Sequence, residues 1–295
     1  MSKKHPVIAV TGSSGAGTTT VKRAFEHIFF REKINAAVIE GDSFHGLSRV
    51  EFKEAMKKAE AEGNQSFSHF GPEANRFDKL AELFDTYGKT GSGKKRYYIH
   101  SDEEAAEHNQ RLNTSLNPGE FTPWEDVPSG SDVLFYEGLH GLVKTDTIDV
   151  SAHVDLGIGV VPIVNLEWIQ KIHRDGAERG YSADVIVDTI LRRMPDYVNY
   201  ITPQFSRTDI NFQRVSTVDT SNPFITRDIP TPDESFIVIR FREPKGVDFP
   251  YLLNMICNSF MSRRNTIVVP GAKMGFAMEL ILAPIIQDMI ANKGK

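Results

Sequence analysis

Short apolar runs alternate with longer segments of helical spacing through the first half of the chain. Residues 6–11 form a β-branched run that stops at a cluster of glycines, and residues 18–30 then place apolar side chains at helical intervals, which predicts strand, glycine loop and helix. Residues 36–39 predict a second strand, ending at Glu40-Gly41-Asp42. Strand, helix and strand in that order predict a parallel α/β sheet, whose ligands collect at the carboxyl ends of its strands. Residues 40–46 fall at that edge.

Further along, residues 50–62 are polar and lysine-rich with helical character, and residues 63–75, rich in Ser, His, Asn and Phe, predict an irregular surface segment. A helix is predicted over 78–87, a mobile basic loop over 88–96 (GKTGSGKKR) and a turn-rich connection over 117–130 containing Pro118, Pro123 and Pro128. Residues 132–136 read as a buried strand ending at Glu137-Gly138, and 152–161 as another apolar run. Two helices, 166–179 and 182–194, are joined at Gly180. The remainder predicts a strand over 235–241, a helix over 251–261, a short strand over 266–269 and a closing helix over 277–290. With no internal repeat and no dividing linker, residues 1–295 are expected to form a single domain carrying lid and loop insertions at about 88–130 and 166–194.

The 295 residues are 40% hydrophobic and 25% charged, enough to bury one large core. A formal charge of −5 supplies no overall basic field, so an anionic ligand must be held by local Arg and Lys, and a nucleic-acid partner is not expected. The lone cysteine, Cys257, cannot form an intrachain disulfide and is expected to be a small buried hydrophobe. The apolar run near the N-terminus is too short for a signal core, and no later stretch is expected to reach spanning length, so the chain is expected in the cytoplasm without membrane contact.

The strongest chemical signal is Gly12-Ser13-Ser14-Gly15-Ala16-Gly17-Thr18-Thr19, set between a predicted strand and a predicted helix. Glycines let successive backbone N–H groups turn inward, and a helix N-terminus adds partial positive charge, so the pattern predicts a nucleotide phosphate cradle. Thr19 stands where such a loop places its Mg²⁺-binding hydroxyl, whereas Thr18 occupies the position of the usual lysine. The fold class expected is therefore α/β of the P-loop NTPase type, a mixed and mostly parallel sheet with helices on both faces. A second match, Gly88 to Lys95, lacks both the preceding strand and the final hydroxyl, and reads as a solvated loop.

Asp42 follows a strand directly and is grouped with His45 and Arg49, a carboxylate beside two groups able to hold an anion. Phosphoryl transfer to an alcohol needs a carboxylate to take the hydroxyl proton, although Asp after Gly is also a common turn residue, and local sequence leaves both readings open. Glu137 ends its strand where a P-loop fold keeps the acidic group that serves Mg²⁺; a plain turn carboxylate fits as well. Lys171, Arg174 and Asp175 share one helical face at i, i+3 and i+4, which describes a salt-bridged exposed helix or a replacement cation for the loop lysine. Arg192 and Arg193 fit equally a helix C-terminus or a second anion contact. His69, His108, His140, His153 and His173 show no metal-ligand spacing and are expected to be surface or satisfied core residues.

The glycine loop, EGDSFH at 40–45, RYYIHSDEEAAEHN at 96–109, FYEGLHG at 135–141 and KIHRDGAERG at 171–180, in that order, resemble the bacterial class of phosphoribulokinases over nearly the whole chain. The resemblance implies transfer of the γ-phosphoryl group of MgATP to the C1 hydroxyl of ribulose 5-phosphate, giving ribulose 1,5-bisphosphate in the Calvin cycle. It implies Asp42 as general base, Asp175 as a second catalytic carboxylate, and Lys171 and Arg174 as cations on the ATP phosphates with residues 12–19. It further implies Thr19 and Glu137 at Mg²⁺, and His45, Arg49, Tyr98, His100 and Arg179 at the sugar phosphate. Activation by NADH, inhibition by AMP and a homo-octamer are implied in the same way. Ala16 stands where eukaryotic relatives carry a redox-active cysteine, so thioredoxin switching is not expected. Uridine kinase and pantothenate kinase share the loop, the post-strand Asp and the arginine-rich lid, which makes a related small-molecule kinase the second expectation; a silent nucleotide-binding regulator is the third.

Overall fold

The computed structural model describes residues 4–12, 18–161, 163–226 and 228–293, with the side chains of Thr18, Thr19, Glu178 and Arg179 also outside the description. In chain order the elements are β1 (Val7–Thr11), α1 (Thr18–Glu32), β2 (Ala36–Glu40), α2 (Arg49–Ala61), α3 (Phe77–Thr90), β3 (Lys94–Lys95), α4 (Asp102–Leu112), β4 (Glu125–Asp126) and β5 (Val133–Gly138). They continue with β6 (Leu156–Val161), α5 (Val164–Arg179), α6 (Ala183–Asp196), β7 (Ile210–Ser216), β8 (Ser235–Phe241), α7 (Phe249–Met255), β9 (Phe260–Arg263), β10 (Thr266–Pro270) and α8 (Met274–Ala291).

One eight-stranded sheet runs β2-β5-β1-β6-β7-β8-β10-β9. Its first five strands are parallel, and β8, β10 and β9 complete it antiparallel. Side chains alternate between faces along a strand, so β1 feeds two cores at once. Ile8 and Val10 join Val21, Phe25 and Ile28 of α1 and Ile281 and Leu282 of α8 on one face; Val7 and Ala9 join Leu80, Phe84 and Tyr87 of α3 on the other. Burial on both faces explains why the parallel strands read as continuous apolar runs. The mostly parallel sheet with helices on both faces is the fold class the glycine loop predicts.

Helix ends follow local chemistry. Ser48 accepts from the Glu51 amide while Glu51 accepts from the Ser48 amide, closing a capping box that starts α2 directly after the Asp42 turn. Gly91, at φ 71, caps α3 in the left-handed region.

Several expectations are corrected. Residues 88–96 are not a mobile loop: α3 runs through Thr90, and Lys94–Lys95 pair with β4. The helix expected over 251–261 stops at Met255, since left-handed Asn258 turns the chain into β9. Strand β7 and helix α4 were not expected, and β7 lacks clear alternation because its first half is buried on both faces. Residues 63–75 are irregular as expected, yet Phe67, Ser68, Phe70, Ala74 and Asn75 are buried. Cys257 is exposed, on the turn after α7 rather than in the core. The segment Gly271–Ala291 is long and apolar enough to span a bilayer by composition, against expectation, but Ala277, Met278, Ile281 and Ile286 are committed to the core beside α1.

Candidate active site

The carboxyl ends of β1, β2 and β5 meet at one corner of the sheet. Glu40 of β2 and Glu137 of β5 are neighbours in register, and the Gly12 amide, leaving β1, donates to the Gly138 carbonyl at 3.2 Å. Gly41 and Gly138 pack Cα to Cβ position: a methyl on Gly41 would lie 2.7 Å from the Gly138 Cα, and one on Gly138 2.6 Å from the Gly41 Cα. Only glycine at both positions lets the turn after β2 fold over the end of β5. That turn, Gly41–Phe44, is a single 3-10 turn and carries Asp42.

Asp42 meets imidazoles from two segments. His45 Nε2 lies 3.4 Å from its Oδ1 and His100 Nε2 3.8 Å from its Oδ2. The Tyr98 ring stands edge-on to both His45 and His100. Burial pushes the Asp42 carboxyl up, but the hydrogen bond and charge of His45, with His100 and His69 beyond, outweigh it and hold the group down at about 2. The side chain nevertheless keeps 47% of its surface accessible, so a substrate hydroxyl can reach an ionised carboxylate that protein encloses on its other sides. Arg96 braces the turn from beneath: Nε donates to the Ser43 carbonyl at 2.8 Å and Nη2 to the His45 carbonyl at 2.5 Å. Its guanidinium lies between the rings of Phe121, 3.7 Å away, and Trp124, at 4.7 Å. Arg49 opens α2; its amide donates to the Gly119 carbonyl, and the Gly119 amide to Ile99, which brings Arg49 alongside the Tyr98–His100 segment.

A second cluster sits on α5. Asp175, 3% exposed, accepts from Lys171 and, at 3.0 Å, from Arg174 Nε. Lys171 is itself only 11% exposed, so this is a largely buried ion cluster and not a solvated helix face. Burial lowers Lys171 to about 8, with Arg193 adding to the shift against the pull of Asp175. The Asp175 carboxyl, pushed up by burial, is held below its usual range by Lys171 and Arg174. Arg193 lies over the Phe70 ring, 5.2 Å from its centre, and its charge is felt both at Lys171 and at His69, whose ring lies tilted beside His45. Arg192 instead pairs with Glu60 of α2 at 2.6 Å, a contact between helices, and with Asp188 of its own helix.

Ser13, Ser14, Gly15, Ala16 and Gly17 lie outside the described residues, as do the side chains of Thr18, Thr19 and Arg179. Gly12 is described: a Cβ there would lie 2.7 Å from the Val160 carbonyl, so Gly12 itself is pressed against β6. Burial pushes Glu137 up to about 7, and Glu40 and Asp42 add to this against Lys22. A half-buried carboxylate crowded by two others suits a hard divalent cation that takes its remaining oxygens from phosphate and water, so Glu137 fits Mg²⁺. Among the described residues no cluster of three acidic, His or Cys side chains forms a protein-only metal cage.

The structure thus brings Asp42, His45, Tyr98 and His100 together and sets Lys171, Arg174 and Asp175 in a neighbouring cluster. The second glycine match makes no cradle, as it begins inside α3 and ends in strand β3; Lys94 pairs with Asp126, and Lys95 bonds the Tyr97 hydroxyl. His140 is a satisfied core residue, with Nε2 3.0 Å from the Phe70 carbonyl. His69 departs from expectation: it stacks on Phe52 and its Nδ1 is buried without a partner beside the site. Arg96 and Asn75 also escaped sequence reasoning. Arg96 opens the RYYIH motif and carried a signal; Asn75, in an irregular segment, carried none.

A family model described as "Phosphoribulokinase / Uridine kinase family" matches residues 7–221. The phosphoribulokinase of Nitrobacter vulgaris is 59% identical over 293 residues, covering 99% of each chain, and that of Xanthobacter flavus is 62% identical over the same length and coverage. The solved structure of phosphoribulokinase from Rhodobacter spheroides superposes with a TM-score of 0.90 at 52% identity, covering all of both chains.

Proposed function

The chain belongs to the phosphoribulokinase/uridine kinase family, and from that premise we propose that it is a kinase transferring the γ-phosphoryl group of ATP to the C1 hydroxyl of ribulose 5-phosphate, with products ribulose 1,5-bisphosphate and ADP. The observation that carries this reading is near-full-length identity to phosphoribulokinases, in a chain whose sheet edge presents an ionised, accessible Asp42.

In the reaction the C1 oxygen forms a bond to the γ-phosphorus, the bond from that phosphorus to the β,γ-bridging oxygen breaks, and the hydroxyl proton passes to Asp42. Held down at about 2, Asp42 is ionised throughout the neutral range and able to take the proton as the new bond forms. His45, His100, Tyr98 and Arg49 orient the sugar phosphate, with Arg179 assigned to the same role. Residues 12–19 cradle the nucleotide phosphates. Thr18 offers only a neutral hydroxyl, so Lys171 and Arg174 supply positive charge to the transferring group, with Asp175 holding both in place. Thr19 and Glu137 would hold Mg²⁺, which would supply charge neutralisation for the nucleotide phosphates.

The same proposal includes a single kinase domain with insertions near 88–130 and 166–194, a homo-octamer activated by NADH and inhibited by AMP, and a cytoplasmic location. Full-length similarity to the bacterial enzymes supports it. A coupled ADP-release assay with ATP and ribulose 5-phosphate, uridine or pantothenate is the test. Turnover of ribulose 5-phosphate alone is expected; turnover of either other acceptor instead, or none with any, overturns the proposal.

A further inference from the structure

The Asp42–His45 contact carries a condition that Asn75 imposes. Asn75 sits in the irregular 63–75 segment, nearly buried, and its backbone forms a bridge with His45. The bridge is tightened on either side, where the Gly46 amide donates to the Ala74 carbonyl and the Arg76 amide to the Phe44 carbonyl. The two side chains then face each other with His45 Nδ1 2.8 Å from Asn75 Oδ1.

Which atom donates is decided by the rest of the Asn75 amide. Its Nδ2 lies 2.9 Å from the His69 carbonyl and 2.6 Å from the Gly71 carbonyl, two acceptors that only an NH₂ group can satisfy. Turning the amide over would set its oxygen against both. Oδ1 therefore faces His45 as an acceptor, and Nδ1 must carry the hydrogen. A neutral ring holds one N–H, so a neutral His45 presents a bare lone pair at Nε2, the atom that faces the Asp42 carboxylate at 3.4 Å. That pairing is repulsive. It becomes a hydrogen bond only when the ring holds a second proton.

We propose that Asn75 is a positioning residue of the phosphoryl-transfer site: it fixes the plane and tautomer of His45, so that His45 grips Asp42 only as an imidazolium and turns an acceptor nitrogen to the site when neutral. The Asp42 side chain can thereby be held or released by one proton on its neighbour. Asp42 faces His45 from the same turn, and His69, Tyr98 and His140 face it from other segments, with His100 beyond Asp42; Arg96 reaches only its backbone carbonyl. None of these is hydrogen-bonded to Nδ1, whose partner among the described residues is Asn75.

The inference rests on Asp42 as the carboxylate of transfer, but its first test does not need turnover. In ¹⁵N-histidine-labelled protein, with His45 assigned by comparison with His45→Ala, the neutral ring is expected to keep its proton on Nδ1 in the unsubstituted chain and to move it to Nε2 in Asn75→Ala. A neutral ring protonated at Nε2 in the unsubstituted chain overturns the proposal. The second test is a double-mutant cycle on kcat/KM for ribulose 5-phosphate. Asn75→Ala alone should lower it by about tenfold, the scale of one lost hydrogen bond, and by less than about twofold in a His45→Ala background. Equal losses in both backgrounds would assign Asn75 to holding the 69–71 carbonyls and overturn the proposal. Should Asn75→Ala fail to fold, Asn75→Ser takes its place in the cycle, and the measurement on the unsubstituted chain still decides the tautomer. If ribulose 5-phosphate is not a substrate at all, the proposed function falls while the tautomer result stands by itself.

Discussion

Asp42 and Asp175 are both carboxylates beside cationic side chains, yet they are assembled in opposite ways. Asp175 takes its partners from its own helix, Lys171 one turn earlier and Arg174 next to it, so the cluster forms wherever α5 forms. Asp42 takes His45 from its own turn and His100 from a segment nearly sixty residues away, and depends on Arg96 and Asn75 to hold the turn that carries it. The locally built cluster is nearly closed, with Asp175 3% exposed; the Asp42 corner leaves 47% of that side chain open. Tertiary assembly produced the open carboxylate, and local pairing the closed one. The first can accept a proton from a substrate, while the second is suited to holding cations in place.

The comparison is broken most directly at Asp42. Asp42→Asn should lower kcat on the order of 10³-fold or more while MgATP binding persists, since the amide fills the same space but cannot take the proton. Near-normal turnover of the purified variant would remove Asp42 from the base role.

Lys171→Met tests whether the closed cluster serves catalysis as well as structure. If Lys171 supplies charge to the transferring phosphoryl group, kcat should fall about a hundredfold with little change in ATP affinity. Thermal unfolding will also register the change, because the partner carboxylate is buried and loses one of its cations while Arg174 stays. A loss in kcat below about fivefold would leave Lys171 as a structural partner of Asp175 and the compensating cation elsewhere.

Arg49→Ala separates the two substrates. KM for ribulose 5-phosphate should rise roughly tenfold, the loss of one charge-assisted contact, with KM for ATP nearly unchanged. An equal rise in both would move Arg49 to the nucleotide side.

The closed cluster also has a pH signature. The folded pKa of Lys171, about 8, lies below its free value of 10.5, so between those values the folded state binds fewer protons than the unfolded state. The destabilisation from burying the charged amine is complete below about pH 8 and is relieved as pH rises toward 10.5. Thermal melts of the unsubstituted protein should therefore gain on those of Lys171→Met across that window; parallel curves would show that the amine is solvated.

The smallest effect is expected at Arg192, which pairs with Glu60 across to α2 and with Asp188 one turn earlier on its own helix. Arg192→Ala should cost about 1 kcal/mol or less in urea unfolding and leave kcat unchanged. A marked fall in kcat would return Arg192 to the phosphate contacts.

How much was legible in the chain follows the same division. The strand before Gly12, the helix from Thr18, the strand ending at Glu40 and the Lys171-Arg174-Asp175 face all depend on neighbours within a few residues, and periodicity reported them. Cys257 and the 63–75 segment were misread because composition does not say which surface another part of the chain will cover. Strand β7 showed no alternation because its burial changes along its length.

The sequence by itself determined the α/β order, the glycine loop, the strand-end carboxylates and, through long motifs, the family. Only the tertiary structure decided that Gly41 must meet Gly138, that Arg96 braces the Asp42 turn, and that Asn75 dictates the proton on His45. The reason is one of range. Helix and strand spacing and short motifs are set by interactions between residues close in sequence, whereas the donor state of an imidazole and the field at a carboxylate depend on atoms that meet only when the chain closes on itself.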